Sequence, residues 1–164
     1  MRSHTLLASV LMCLPLGAQD KSTTATPYQV EYTIQDANDP AAKNGRHYTL
    51  QLDNMNTRGN IRSGAKVPYA TTTAPNATQW SYADIGVNID CRLWEKDGHL
   101  MMYSNFDISS ITQNSQNAPT PTISQVRTET GTVVTLGKQM ALLTIDDPQI
   151  PKKLRVVAVV TPVP

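Results

Sequence analysis

The sequence has few of the residues that carry chemistry in small proteins. Its 164 residues include two cysteines, three histidines and one phenylalanine, and aromatic side chains make up only 5% of the chain. The 14 Lys and Arg nearly balance the 13 Asp and Glu, so nothing in the charge favours binding to nucleic acid or to an anionic membrane surface. No apolar run approaches the roughly 20 residues of a transmembrane helix. These absences favour one neutral domain with no nucleic-acid partner.

The first 20 residues, MRSHTLLASVLMCLPLGAQD, have the layout of a secretory signal peptide. A basic start at Arg2 is followed by an apolar run and then by the small residue Ala18. We therefore expect residues 1–18 to be a signal peptide and residues 19–27 to be a flexible lead-in of an exported protein.

Two alternatives to cleavage have weaker support. A retained anchor would have to cross the bilayer with an apolar run of about half the necessary length. Lipidation of Cys13 would place Met12 where a lipobox carries a small residue. Cleavage leaves Cys91 as the only cysteine, so no internal disulfide can form, and its place in an alternating apolar run predicts a buried, inert thiol.

The fold class follows from a period-two pattern that begins at residue 28. Apolar and polar residues alternate over 28–34, 85–93 and 100–106, which is typical of half-buried strands. No stretch has the i, i+3, i+4, i+7 apolar spacing of a helix. We therefore predict a single all-β domain over residues 28–164, an antiparallel β-sandwich-like arrangement of seven to nine short strands.

Several local patterns predict particular strands and turns. Residues 28–53 form two alternating segments and predict an N-terminal hairpin, and Asp97-Gly98 between apolar runs predicts a second one. Pro68 cannot donate to a ladder, so its strand should be an edge or a bulge. The run LRVVAVVTPV from Leu154 is apolar on both faces, which favours a strand in the middle of a sheet. Residues 112–122 predict a long loop.

No constellation of catalytic, cofactor-binding or metal-ligating residues is predicted. The two histidines beyond the leader, His47 and His99, stand alone beside turns, whereas zinc needs three or four converging ligands. Asp36 and Asp39 offer oxygen ligands in a loop without the pattern of an EF-hand. The pair at 146–147 is expected to be a solvated turn. We therefore expect no cofactor and no enzymatic activity.

Four segments, in this order, resemble motifs of one known family. Residues 64–69, GAKVPY, are similar to a G-x-x-(I/V)-P-(Y/F) segment, and residues 82–93, YADIGVNIDCRL, to a Y-x-D-V-G-x-x-L-x-V strand. Residues 130–137, TGTVVTLG, and residues 154–162, LRVVAVVTP, are similar to two later strands. Together they resemble the C-terminal β-domain of bacterial secretins, the outer-membrane channels of type II and III secretion and pilus systems.

The resemblance covers residues 64–164 and implies a secretin-type β-domain in reduced form. Where secretins carry a longer lip segment, only DDPQIPKK stands here, and the hairpin at 28–53 replaces their ring-building domains. The family-like motif positions are Gly64, Val67, Pro68, Tyr69, Tyr82, Asp84, Gly86, Gly131 and Gly137. Among these, Gly86 is expected at a bend or bulge within a strand, and Asp84 is expected to hold a turn.

The function predicted from these observations is that of an exported, non-enzymatic binding or assembly module of the bacterial cell envelope. It would lie in the periplasm or at the outer-membrane periphery and take a protein partner through an edge strand, at Lys66–Ala70 or Tyr28–Ile34. Homo-oligomerisation is left open. One alternative is a subunit of an oligomeric secretin-type channel. Another is a small carbohydrate- or calcium-binding sandwich that uses Trp80, Tyr82 and the Asp36/Asp39 loop.

Overall fold

A computed structural model describes residues 26–39, 44–74, 77–112, 122–146 and 153–164. The predicted signal peptide, most of the lead-in and nearly all of the 112–122 loop lie outside these ranges. Within them, no helix is long and apolar enough to cross a membrane.

The described chain is all-β, as predicted. Its eight strands are β1 (Tyr28–Asp36), β2 (Arg46–Leu52), β3 (Arg58–Ala74), β4 (Ala77–Lys96), β5 (His99–Thr112), β6 (Thr122–Val133), β7 (Met140–Ile145) and β8 (Leu154–Pro162). They form two antiparallel sheets. The short sheet has the order β2-β1-β8-β7, and the long sheet has the order β3-β4-β5-β6.

The strands of the long sheet are longer than predicted. β3 has 17 residues and β4 has 20, and the two continue far beyond their neighbours. A sequence shows where a strand is half buried, because burial imposes the alternation of apolar and polar residues. The outer parts of β3 and β4 are rich in Thr and Ala, so they carry no clear alternation of this kind.

The N-terminal hairpin is confirmed, since β1 pairs with β2 from Tyr28 opposite Leu52 to Ile34 opposite Arg46. The prediction that β1 is an edge strand is wrong. Its other side is occupied by β8, with Tyr28 opposite Pro162. β8 lies between β1 and β7, in the middle of the short sheet as predicted, and Val156, Val157 and Ala158 are buried.

The core lies between the inner faces of the two sheets. Tyr32 of the short sheet meets Phe106 of the long sheet edge to face, with ring centroids 5.7 Å apart and an interplanar angle of 83°. Both side chains have 0% exposure. Aromatic pairs of this kind stabilise beyond their buried area, so this contact joins the two sheets at the centre of the domain.

The turn predicted at Lys96-Asp97-Gly98 is confirmed. Asp97 (φ 52°) and Gly98 (φ 75°) both take positive φ, as a two-residue hairpin turn that follows the twist of its strands requires. Gly131 lies within β6, at an exposed position.

Candidate functional site

A two-stranded hairpin projects from the long sheet. β4 pairs with β5 only from Gly86 onwards, whereas its pairing with β3 continues to Ala77 opposite Ala74. We call the projecting part, residues 65–74 and 77–85, the arm, and the remainder of the two sheets the body. The arm has no third strand within the described residues, which makes it the part of the sheet with the least support.

Two glycines mark the base of the arm. Gly64 and Gly86 are directly paired, and a Cβ atom on Gly86 would lie 2.1 Å from the carbonyl oxygen of Ser63. A Cβ atom on Gly64 would lie 2.4 Å from the oxygen of Ile85. Gly86 also has a φ of 151°, which side chains rarely permit. The two backbones therefore approach closely at a point that only glycine fits.

Seven of the nine family-like motif positions lie together at this place. Gly64, Val67, Pro68 and Tyr69 are on β3, and Tyr82, Asp84 and Gly86 face them on β4. Gly131 lies apart on β6, opposite Tyr103. Gly137 lies in the turn after β6, where its φ is 70° and its amide donates to the carbonyl of Val160.

Two of these positions differ from expectation in their local role. Asp84 is in mid-strand rather than in a turn, and its carboxylate lies 3.6 Å from Lys66 Nζ with both side chains exposed. Gly86 causes no bulge, since the register of β3 and β4 is continuous from Arg58 to Thr72. The glycine is needed for close backbone approach instead.

Ser109 also belongs to this site, although sequence reasoning did not find it. Its hydroxyl accepts a hydrogen bond from the Gly86 amide at 2.9 Å and donates to the Asp84 carbonyl at 3.4 Å. It thereby holds β4 at the residue where β5 stops pairing with it. A serine in a polar strand segment gives no sequence signal for this role, which depends on the register of two strands.

One face of the arm carries large exposed side chains. Trp80 is 61% exposed and Tyr82 65% exposed, and they lie opposite Ala70 and Pro68. The sequence prediction grouped these aromatic residues with the Asp36/Asp39 loop as a carbohydrate or calcium site. The structure places Trp80 and Tyr82 on the arm of the long sheet and the acidic loop at the end of β1 in the short sheet.

In the acidic loop, the oxygens of Asp36 accept hydrogen bonds from the backbone of the loop itself. Asp36 Oδ1 accepts a hydrogen bond from the Asn38 amide at 3.0 Å, and the Asp36 carbonyl accepts one from the Asp39 amide. Over the described residues, no three His, Cys, Asp or Glu side chains come together as a metal site. Asp146 pairs with Lys153 at 2.6 Å, and Asp147 lies outside the described ranges.

Cys91 is buried as predicted, within a small polar group inside the core. The Tyr32 hydroxyl lies 2.8 Å from Ser104 Oγ, and burial raises the pKa of Cys91 above its ordinary value. Desolvation also raises the pKa of Tyr32. A thiol in these surroundings stays protonated near neutral pH and is shielded from solvent, which makes it unreactive.

The two histidines lie near the starts of β2 and β5. Both His47 and His99 are exposed, and His47 Nδ1 forms a hydrogen bond of 3.1 Å with Thr33 Oγ1 across the β1–β2 pair. Neither lies beside the buried thiol.

The body also has a cleft of about 710 Å³ on the outer face of the long sheet. Residues from β3, β4 and β5 line it: Arg58, Asn60, Asp90, Arg92, Trp94, Tyr103 and Asn105. No site was predicted at these residues from the sequence. Only the register brings Arg58 opposite Arg92 and Arg92 opposite Tyr103.

No protein-family model matches the chain, and no curated protein is similar to it in sequence. Solved structures of secretins are similar in fold to this chain. One is the secretin GspD of the type II secretion system of E. coli K12, with a TM-score of 0.53 and 12% identity over 85% of this chain. Another is the secretin-domain β-barrel of InvG from the Salmonella SPI-1 injectisome, with a TM-score of 0.50 and 7% identity over 85% of this chain.

The chain spans 50% of the GspD chain and 62% of the InvG chain. Identities this low show a shared fold and nothing more specific. The resemblance found in the order of four sequence segments is thus confirmed at the level of structure, where the likeness also includes most of the chain before residue 64. The domain described here has a secretin-like fold.

Proposed function

We propose that this chain is an exported, non-enzymatic assembly module of the bacterial cell envelope that joins other strands through the edges of its long sheet. The observation that carries the proposal is the order β3-β4-β5-β6, which leaves β3 and β6 as edges among the described strands. An edge strand presents backbone donors and acceptors to any strand that can align with it. The envelope location rests on the predicted signal peptide and on the secretin-like fold.

The geometry of the edges suits successive copies of this chain. Four antiparallel strands make β3 and β6 antiparallel to each other. β6 of one copy can therefore pair with β3 of the next and continue the antiparallel pattern, a head-to-tail contact that a rotation can close. β7 and β2 of the short sheet are related in the same way. We therefore propose β3, which includes Lys66–Ala70, as one of the two partner edges.

The proposal of a non-enzymatic module is supported by the placement of the reactive groups. The thiol of Cys91 is buried, and the histidines are exposed on separate sheets. Among the described residues, three pairs of charged side chains on the arm and outer face form ion pairs, as Arg127 Nε does with Asp107 at 3.1 Å. These pairs hold neighbouring strands together across the sheet.

Light scattering on a size-exclusion eluate of residues 19–164, without detergent, tests the proposal. We expect assemblies larger than a dimer that dissociate on dilution. The double variant Gln125→Lys/Gly131→Lys places two lysines on exposed positions of β6 and should reduce the assemblies to a monomer, because edge lysines oppose strand addition. Its control, Asn88→Lys/Ser110→Lys, adds the same charge to exposed positions of interior strands.

A monomer of about 16 kDa, in proportion to the 18.0 kDa of the full chain, at every concentration and with or without detergent would overturn assembly through these edges. Loss of assembly in both double variants would indicate a charge effect unrelated to the edges. That result would also contradict the proposal.

A second candidate is a subunit of an oligomeric secretin-type channel. The polar outer face of the long sheet favours it, because Arg62, Asp84 and Asp90 would be solvated if that face lined an aqueous passage. This candidate requires ring-sized assemblies that depend on detergent. Assemblies that form in plain buffer support the first candidate instead.

A further inference from the structure

The cleft on the outer face of the long sheet contains two arginines in an unusual arrangement. Arg58 and Arg92 are directly opposite each other on β3 and β4, where like charges on one face of a sheet repel. Within the described residues, neither forms an ion pair with a carboxylate at 4 Å or less, whereas Arg62 and Arg127 on the same sheet do. The sheet therefore holds two adjacent positive charges that it does not neutralise.

The Arg92 side chain also has a buried donor without an acceptor. Its Nη2 donates to Asn56 Oδ1 at 3.3 Å, but its Nε is buried and has no hydrogen-bond partner. A buried N–H group left unpaired costs free energy. An anion brought into the cleft would reduce the repulsion between Arg92 and Arg58, and its oxygens can accept hydrogen bonds from guanidinium groups that line the cleft.

The carboxylates nearest to the cleft are already engaged. Asp90 lies 2.5 Å from Arg62 Nη2. Glu129 accepts a hydrogen bond from Asn105 Nδ2 at 3.5 Å, and its hydrogen bond with Tyr103 raises the pKa of that tyrosine. Neither carboxylate is positioned to neutralise Arg58, so an incoming anion meets a net positive cleft.

We propose that this cleft is a binding site for an oxyanion, the carboxylate or phosphoryl group of a small organic ligand, held between Arg58 and Arg92. Guanidinium groups are planar forks that match both kinds of oxyanion. The volume of about 710 Å³ is that of a small-molecule site. Trp94 and Tyr103 offer ring surfaces, and Asn60 offers an amide, so an acidic sugar is the ligand class that these side chains fit. Arg58 belongs to β3, one of the proposed partner edges, but the cleft is on the outer face of the sheet, whereas strand addition uses backbone groups in the plane of the sheet.

Fluorescence of Trp94 provides the test. Trp80, the other tryptophan, is on the arm, so the full sequence carrying Trp80→Phe reports on the cleft alone after expression and export. The ligands are galacturonate, inorganic phosphate and the neutral sugar galactose, each at constant ionic strength set with chloride. We expect saturable changes with galacturonate or phosphate, no change with galactose, and a higher melting temperature in the presence of the bound anion.

Three variants decide whether the arginines hold the anion. Arg58→Gln and Arg92→Gln should each weaken binding about tenfold or more, since each removes a hydrogen bond to a charged group. Arg127→Gln, on the same face but outside the cleft, should change affinity less than about twofold. Because both cleft variants relieve repulsion between like charges, they should melt at or above the temperature of the parent protein, which separates lost binding from lost folding.

Each further outcome has a clear meaning. Equal affinity for phosphate and galacturonate supports the proposal and identifies the oxyanion alone as the recognised group. Tighter binding of galacturonate supports the acidic-sugar form of the proposal. A response to neither anion, a response to galactose equal to that for galacturonate, or equal weakening by Arg127→Gln would overturn it. None of these results changes the mass measured by light scattering, so failure here is distinguishable from failure of the proposed assembly.

Discussion

The body and the arm are made in part from the same strand, yet β4 has different surroundings in each. In the body, Val87 and Ile89 have 0% exposure because the short sheet covers that face. In the arm, a few residues earlier along β4, Trp80 and Tyr82 on the outer face are more than 60% exposed, and among the described residues of its inner face only the small side chain of Ala83 is buried. Burial of apolar area is the main favourable term in folding, so the body holds most of the stability. A bound partner can therefore add the most stability at the arm.

The largest expected effect separates the two regions directly. Phe106→Ala removes the ring that meets Tyr32 between the sheets, and we expect a loss of about 3–5 kcal/mol in the free energy of unfolding. Trp80→Ala removes a larger side chain from the arm, and this change should alter the free energy of unfolding by less than about 0.5 kcal/mol. Urea unfolding followed by circular dichroism measures both. Comparable losses would show that the arm is packed in solution.

The junction between the regions should respond next most strongly. Gly86→Ala places a Cβ atom 2.1 Å from the Ser63 oxygen at a positive φ, and we expect a cost of about 1–3 kcal/mol. Gly131→Ala is the matched control because a Cβ atom there meets nothing within 4 Å. The free energies of unfolding of the two variants should differ by that amount, with the Gly86→Ala variant the less stable. Equal midpoints would contradict the close approach.

The polar group inside the core gives a third test of the body. The Tyr32 hydroxyl lies 2.8 Å from Ser104 Oγ. Tyr32→Phe removes that hydroxyl and leaves the serine, which has 0% exposure, without this partner. An unsatisfied buried hydroxyl costs about 1–3 kcal/mol. Ser104→Ala in the Tyr32→Phe background should restore part of the loss, which a double-mutant cycle of unfolding free energies measures. Additive losses would show that the two hydroxyls do not interact.

Alkaline pH should destabilise the body through the same group. Burial raises the pKa of Cys91 above its ordinary value of 9.0, so the folded chain keeps its thiol proton at pH values where the unfolded chain releases it. Stability is therefore fully present below about pH 9 and falls as pH rises. Cys91→Ala should make the free energy of unfolding fall less between pH 8 and pH 10. An unchanged slope would assign the loss to other groups.

The smallest effect is expected in the arm. Lys66 and Asp84 are 3.6 Å apart, but their side chains are 73% and 80% exposed, and exposed pairs contribute about 0–1 kcal/mol. Lys66→Ala should thus leave the unfolding midpoint almost unchanged, at low and at high salt. A clear loss at low salt would mean that this pair stabilises the arm more than its exposure indicates.

Much of the body could be predicted from the sequence, because its signals are local. Asp97-Gly98 specifies its own turn, and the two-sided apolar run of β8 indicates its central place. The second neighbour of β1 could not be predicted in this way, since Tyr28 meets a residue more than 130 positions later in the chain. An N-terminal strand with one polar face looks the same beside one neighbour or two.

The arm and the cleft could not be predicted for different physical reasons. The arm has no third strand within the described residues, and its sequence has no clear period-two pattern of apolar and polar residues. The cleft is built by register, which places Arg58 opposite Arg92 although 34 positions separate them. Polar residues on the outer faces of strands are ordinary when taken singly, and only their alignment across three strands makes a site.

The pairing of β1 with β8 also determines when the short sheet can be completed. β1 has a hairpin partner nearby in β2, but the other side of Tyr32 stays open until Ala158 is available. Contacts between distant segments form slowly. A chain that crosses a membrane with its N-terminus first would therefore keep its core incomplete throughout passage. The same pairing would then close the domain only after the last strand had emerged.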